Sequence, residues 1–163
     1  MNKEKSNFER MIDLVEEIFS TRNDPEQLQV NEEVIEQLIQ LDPHFVSELD
    51  EGKGPCCWIL LIPSNTELMH RFLDAEITEQ ELFERSRTLT TFTTLYLASA
   101  LTLPEYRNKG ITFHLCISAI LELQKKYSFQ DYFAWTFTEE GKHLAAKISN
   151  HFSKPVHIRE HQP

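Results

Sequence analysis

The part of the sequence with the clearest capacity for chemistry is residues 101–112, where a hydrophobic run meets a turn and then a helix. The first backbone amides of a helix lack partners inside it, and the helix dipole places partial positive charge there. Arg107 and Lys109 add two full positive charges beside this helix start, and Gly110 lets a ligand approach the backbone closely. These features predict an anion site suited to a diphosphate. The P-loop pattern G-x-x-x-x-G-K-[ST] is absent from the sequence, so this is a different kind of phosphate site.

Two strands and a helix are expected to position this segment. Residues 88–103 are dense in Thr, Leu, Phe, Tyr and Ala without Gly or Pro, which favours one long strand or a hairpin. Residues 111–126 are apolar on nearly every side and predict a deeply packed helix, and residues 132–137 predict another strand. Together, residues 93–137 predict a βαβ unit with parallel strands and a right-handed crossover.

Capping patterns predict the remaining helices. Ser6 and Glu9 have the spacing of a capping box ahead of an amphipathic helix at residues 8–19. Asn31 is suited to cap a second helix that ends before Pro43. Three further helix starts are predicted from capping residues at residues 64–67, 78–81 and 138–140.

Two more strands are expected outside the βαβ unit. Residues 56–62 are seven consecutive apolar residues that stop at Pro63, which is typical of a short strand buried on both faces. The tail after Asn150 is expected to add one strand around Val156 and Ile158. The order of elements is therefore helices, strand, helices, strand, helix, strand and helix.

Composition narrows the class of protein. A chain of 163 residues is expected to form one domain with one core. The formal net charge of -10 disfavours nucleic acid as a partner, and no apolar stretch resembles a signal peptide or a membrane span, so a cytoplasmic protein is expected. The three cysteines are Cys56, Cys57 and Cys116, which are interpreted as reduced packing residues.

The six residues from Arg107 to Thr112, read Arg-Asn-Lys-Gly-Ile-Thr, resemble the signature R/Q-x-x-G-x-G/A of the GNAT superfamily of acyl-coenzyme A dependent N-acyltransferases. The resemblance covers roughly residues 93–150. It implies an α/β (α+β) fold with a mixed, mainly antiparallel central sheet, a parallel βαβ unit and flanking helices. Residues 1–163 would form a single domain, with residues 1–92 on the acceptor side, residues 93–150 binding acyl-CoA and residues 151–163 as a tail.

The resemblance also implies a reaction and a site. An acetyl or other acyl group would pass from acyl-CoA to an amine of a small molecule or a protein, by direct attack and without a covalent enzyme intermediate. Backbone amides of residues 108–112 would hold the pyrophosphate, and the preceding strand would pair with the pantetheine arm. Glu105 is the one candidate general base. The implied cofactor-binding residues are Leu101, Thr102, Leu103, Arg107, Asn108, Lys109, Gly110, Ile111, Thr112, Trp135 and Thr136.

Two other functions remain open from the sequence. One is a non-catalytic module with the GNAT fold that binds acyl-CoA or another protein. The other is a helix-rich interaction protein whose loop binds nothing. The acceptor amine is not identified, and a monomer and a homodimer are both compatible with the sequence.

The histidines and the cysteine on the predicted helix are interpreted as structural. His157 and His161 have i, i+4 spacing and His151 is near, but no carboxylate or cysteine pattern accompanies them, so exposed side chains and no metal are expected. His114 is expected to be a hydrogen-bonded packing residue, and Cys116 a core residue.

Overall fold

The computed structural model describes the backbone of residues 3–22 and 26–160. This part of the chain forms six α-helices around one five-stranded sheet, which confirms the predicted α/β class. The helices are α1 (Asn7–Arg22), α2 (Glu32–Leu41), α3 (Thr66–Leu73), α4 (Glu79–Ser86), α5 (Ile111–Gln124) and α6 (Glu139–Phe152). The strands are β1 (Val46–Asp50), β2 (Pro55–Ser64), β3 (Thr94–Thr102), β4 (Asp131–Ala134) and β5 (Val156–Ile158). Two single-turn 3-10 helices, Pro43–Phe45 and Pro104–Tyr106, precede β1 and α5.

The sheet is open and mixed, with the strand order β1-β2-β3-β4-β5. β2 pairs antiparallel with β1 and β3, and these are the longer ladders. β4 pairs parallel with β3 and β5. The predicted mixed sheet and the predicted βαβ unit, formed by β3, α5 and β4, are therefore confirmed.

Most of the predicted helix caps are present. The amide of Val34 donates to Oδ1 of Asn31 at 3.0 Å, and the Thr78–Glu81 pair forms a reciprocal capping box. The predicted cap at Ser64 is wrong by one residue, because Asn65 accepts the amide of Leu68 at 2.9 Å. Ser64 is instead the buried last residue of β2, where its backbone still takes part in the sheet.

One strand was missed, and the bounds of three others differ from the predictions. β1 was not predicted, since its alternating short pattern carries little sequence signal. β2 runs through Pro63, because β1 pairs with β2 only as far as Leu60 and a missing N–H is tolerated where a strand has one neighbour. β3 begins at Thr94, because the amides of Thr88 and Leu89 bond back to the end of α4. β4 ends at Ala134, three residues earlier than predicted.

Helices cover both faces of the sheet. On one face, Trp58 of β2 contacts Phe8 of α1, and Tyr96 of β3 packs against Phe72 of α3. On the other face, the hydroxyl of Tyr132 in β4 accepts a hydrogen bond from Gln124 of α5. One cluster of buried side chains runs through all these layers. No helix in the described chain is long and apolar enough to cross a membrane.

Candidate functional site

The parallel strands β3 and β4 part halfway along β3. Their pairing runs from Thr94 opposite Asp131 to Leu97 opposite Ala134. β4 ends there, while β3 continues to Thr102. Within the described backbone, residues 98–102 therefore have no neighbouring strand on the β4 side, over a length of about 16 Å at ~3.3 Å per residue. We call this opening the fork.

A β-bulge lies at the mouth of the fork. In the β2–β3 ladder Leu60 is opposite Ser99 and Leu61 is opposite Leu97, so Ala98 has no partner. A bulge bends its strand and increases the local twist. Ala100 is exposed, and Ala98, Ser99 and Leu101 are half-buried, although β3 is a central strand. The backbone edge of β3 is therefore open to a ligand beyond Leu97.

The loop between β3 and α5 provides no side-chain cap for the start of α5. Gly110 is the N-cap residue of α5, with φ of 76°, and no side chain hydrogen-bonds at this cap. Asn108 also has a positive φ, of 62°. A side chain at Gly110 would be strained by its φ, and the nearest atom to an added Cβ would be in the His114 ring, at 3.4 Å. No side chain in the described part of the chain therefore caps the first amides of α5, and the anion site expected at this loop stays a prediction.

Two cations lie on the same loop. The Nε atom of Arg107 donates to the carbonyl of Thr102 at 2.9 Å, which holds the guanidinium group near the end of β3. The Nζ atom of Lys109 is 5.8 Å from the centre of the Tyr106 ring. Both side chains are exposed, so they place positive charge beside the start of α5 where a ligand can reach it.

Thr112 points away from the loop and towards the sheet. Its hydroxyl lies 2.5 Å from the hydroxyl of Thr102, which in turn donates to Sγ of Cys57 at 3.3 Å. This contact fastens the first turn of α5 to β3. Burial raises the pKa of the Cys57 thiol, and burial also raises the pKa of Cys116 to about 12, so neither thiol is activated.

The outer end of the predicted pantetheine segment is already occupied. The amide of Leu103 donates to the carbonyl of Cys56 at 2.9 Å, and the carbonyl of Leu103 accepts the amide of Tyr106 at 3.0 Å. The carbonyl of Thr102 is taken by Arg107. Of the three predicted residues, Leu101 and Thr102 lie in the part of β3 without a β4 neighbour, and Leu103 lies beyond it. Sequence reasoning missed the bulged part of β3, Ala98 to Ala100.

Trp135 and Thr136 directly follow the last residue of β4. Trp135 is buried, and its ring lies 4.2 Å from the guanidinium carbon of Arg159 and 5.9 Å from the Phe72 ring. Its indole therefore packs in the core. Thr136 is half-buried, and its hydroxyl has no hydrogen-bond partner in the part of the chain that the structure describes.

Glu105 is held in an ion pair. Its two carboxylate oxygens accept hydrogen bonds from Nη1 and Nη2 of Arg10 at 2.5 and 2.7 Å. The hydrogen bond from Arg10 lowers the pKa of Glu105 to about 2. A carboxylate with so low a pKa is a weak proton acceptor at neutral pH. Glu105 also lies beyond the end of β3, whereas the mouth of the fork is at the other end of the unpaired residues 98–102, so its position disfavours the predicted role as general base.

The histidine predictions need two corrections. His114 is exposed, because it lies with Ser118 and Leu121 on the solvent side of α5. Nε2 of His157 lies 3.3 Å from Oδ1 of Asp131, because parallel pairing of β5 with β4 brings together residues distant in sequence. His161 lies outside the described residues. Among the described side chains, no group of three or more His, Cys, Asp or Glu residues is arranged to hold a metal ion.

Comparisons with protein-family models, with curated proteins and with solved structures find no match to this chain. The functional interpretation therefore depends on the fork, the start of α5 and the resemblance of residues 107–112 to the GNAT signature.

Proposed function

We propose that the chain is a GNAT-type N-acyltransferase that transfers an acetyl or related acyl group from acyl-CoA to an amine. The observation that carries this proposal is the fork, where β3 and β4 part next to a helix start that has no side-chain cap. An ordinary parallel pair would remain hydrogen-bonded along its length. A fork beside an anion site suits a cofactor with a charged end and a long amide-containing arm.

The cofactor is proposed to lie along the fork with its pyrophosphate at the start of α5. The amides around Gly110 and Ile111 would donate to the phosphate oxygens, and Arg107 and Lys109 would neutralise their charge. The two amides of the pantetheine arm would pair with the open edge of β3, as an added peptide strand does. The thioester would then reach the mouth of the fork, near Ala98 and Ala134.

The reaction proposed at the mouth of the fork is direct acyl transfer. A neutral amine attacks the thioester carbonyl, a carbon–nitrogen bond forms and the carbon–sulfur bond breaks. A backbone amide at the bulge would stabilise the oxyanion that develops on the carbonyl oxygen. The amine loses a proton to water and the coenzyme A thiolate takes one up, so Glu105 has no role in this scheme.

A non-catalytic acyl-CoA-binding module is the second candidate. Many GNAT enzymes have a tyrosine on the helix after the second parallel strand, where it protonates the leaving thiolate. Residues 138–152 of this chain contain no tyrosine. Together with the ion-paired state of Glu105, this favours a site that binds acyl-CoA with slow turnover or none.

Calorimetric titration with acetyl-CoA tests the binding site shared by both candidates. We expect saturable binding to the unmodified chain, and at least tenfold weaker binding to the double variant Arg107→Glu, Lys109→Glu, because two attractive charges become repulsive. Lys53→Glu is the matched control, since Lys53 is also an exposed loop cation but lies between β1 and β2. Absence of binding at millimolar acetyl-CoA would exclude both candidates.

Thiol release separates the two candidates. An enzyme releases free coenzyme A from acetyl-CoA faster in the presence of its amine, and a panel of small amines, polyamines and lysine peptides would reveal this. Binding without amine-dependent release across the panel would favour the module.

A further inference from the structure

Two adjoining cavities lie between α2 and α4, at the end of β2 remote from the start of α5. Their volumes are about 440 and about 330 Å³, and both are lined by Gln37, Phe83 and Arg87. We call the pair the α2–α4 pocket. None of its lining residues belongs to β3, β4 or α5, so it is separate from the fork.

The larger half of the α2–α4 pocket has an apolar floor. Leu38, Ile62, Pro63 and Phe83 line it, and all four are buried. Leu41 stands at the rim with 41% of its surface exposed. An apolar group of the size of a leucine or phenylalanine side chain would gain burial here.

The smaller half contains two amide groups with unmet hydrogen-bonding capacity. Gln37 donates from Nε2 to Oε1 of Glu33 at 3.1 Å, but its Oε1 atom is buried and has no partner among the side chains described. The Nε2 atom of Gln27 is likewise buried without a partner in the described chain. Buried polar atoms are nearly always paired with protein or water, so an acceptor and a donor that line one pocket would be met by a polar ligand or by water.

Charges of both signs border the same half. Nη1 of Arg87 is 3.3 Å from Oε2 of Glu84, and both side chains are more than 40% exposed, so the guanidinium is free to turn towards a ligand. Glu33 lies on the opposite wall, on α2. A ligand with one positive and one negative group would be matched by these walls.

We propose that the α2–α4 pocket binds a free α-amino acid with an apolar side chain. Arg87 and the Gln27 amide donate to its carboxylate, while Glu33 and Oε1 of Gln37 accept from its ammonium group. The side chain occupies the apolar floor. Such a zwitterion carries no net charge, so the charge of -10 on the protein does not oppose its binding.

Titration of the full chain with L-leucine, followed by two-dimensional NMR, tests this site. We expect saturable shifts of the side-chain amides of Gln27 and Gln37. Isoamylamine and 4-methylpentanoate each lack one charged group of leucine, and glycine lacks the side chain, so each should bind at least tenfold more weakly. Binding of isoamylamine as tight as that of leucine would overturn the zwitterion assignment.

Arg87→Ala should weaken leucine binding at least tenfold. The matched control is Arg85→Ala, because Arg85 is in the last turn of α4, two residues before Arg87 at its C-cap, is similarly exposed and also pairs with a glutamate, but does not line the pocket. Equal affinities of the two variants for leucine would overturn the proposal. Absence of saturable leucine binding to the unmodified chain would also overturn it, and would mean that water alone pairs with Nε2 of Gln27 and Oε1 of Gln37. Unchanged backbone spectra of both variants would show that they fold.

This inference does not depend on the acyltransferase proposal. Acetyl-CoA should shift the backbone amides of Gly110 and Ile111, whereas leucine should shift those of α2 and α4. Either response can therefore be present without the other.

Discussion

The two ends of β3 differ in what the strand pairs with. Residues 94–97 pair with β2 on one side and β4 on the other. Within this segment, the Tyr96 ring packs against the rings of Phe72 and Phe133. In residues 98–102, Ala98 is the unpaired bulge residue and the other four pair with β2 alone; Ala100 is exposed and Ala98, Ser99 and Leu101 are half-buried. We call residues 94–97 the closed end of β3 and residues 98–102 its open end. The closed end supplies stability, and the open end leaves backbone groups free for a ligand.

Two carboxylates, one near each end of β3, differ in burial. Both Asp42, near the closed end, and Glu105, near the open end, have a pKa of about 2. The side chain of Asp42 is 2% exposed, whereas that of Glu105 is 48% exposed. Hydrogen bonds to a buried carboxylate are not replaced by water, so the same pKa carries a stability contribution at Asp42 and almost none at Glu105.

The largest effect is expected from Phe133→Ala at the closed end. Phe133 is fully buried and stacks on Tyr96 with ring centres 4.9 Å apart. Removing the ring should lower the free energy of unfolding by about 3–5 kcal/mol, measured by urea denaturation. Leu101→Ala at the open end is the comparison and should cost less than about 2 kcal/mol, because Leu101 is half-buried. Equal losses would contradict the division into a closed and an open end.

Asp42→Asn should have the next largest effect. Burial raises the pKa of Asp42, but hydrogen bonds from Lys126 and His44 outweigh it, so the pKa falls from 3.8 to about 2. A lowered pKa stabilises the fold above pH 3.8, and this contribution is lost as the pH falls towards about 2. We expect a loss of about 2 kcal/mol at neutral pH. Denaturation curves from neutral to acidic pH should converge for variant and unmodified chain, and a gap that does not depend on pH would refute this account.

Gly110→Ala and Gly52→Ala separate strain from binding. Both glycines have a positive φ, of 76° and 114°, so alanine should cost about 1 kcal/mol of stability at each position. Only Gly110 is at the start of α5. Calorimetry should therefore show severalfold weaker acetyl-CoA binding for Gly110→Ala. The affinity of the control, Gly52→Ala, should be unchanged. Equal weakening would mean that the loop acts through stability alone.

Glu105→Gln should have the smallest effect on stability. The ion pair with Arg10 is exposed, so the change in unfolding midpoint should be too small to resolve. A carboxylate with a pKa of about 2 stays ionised across neutral pH, so it should cause no inflection in a rate profile over roughly pH 5–9. A fall in acyl transfer of a hundredfold or more would restore Glu105 as the base.

Much of the fold could be predicted because its signals are local. The caps at Asn31, Thr78 and Thr138 each depend on residues three positions apart, and all three are present. The apolar run of β2 and the helix of the βαβ unit were predicted for the same reason. β1 was missed because its short alternating pattern becomes a strand only through pairing with β2.

The candidate site was only partly predictable. The loop at residues 107–112 was found from its charges, its glycine and the resemblance it carries. The ion pair of Glu105 was not predicted, because its partner Arg10 is 95 positions away in the sequence. The bulge at Ala98 also left no signal, since a bulge is defined by the partner strand.

By itself, the sequence determined the helix starts, the buried run of β2 and the positive, uncapped loop before α5, because these depend on neighbouring residues and local backbone preferences. Only the tertiary structure decided where β3 and β4 part, which carboxylates are paired, and that α2 and α4 enclose a pocket. Those features arise from contacts between residues far apart in the chain, and no local pattern specifies them.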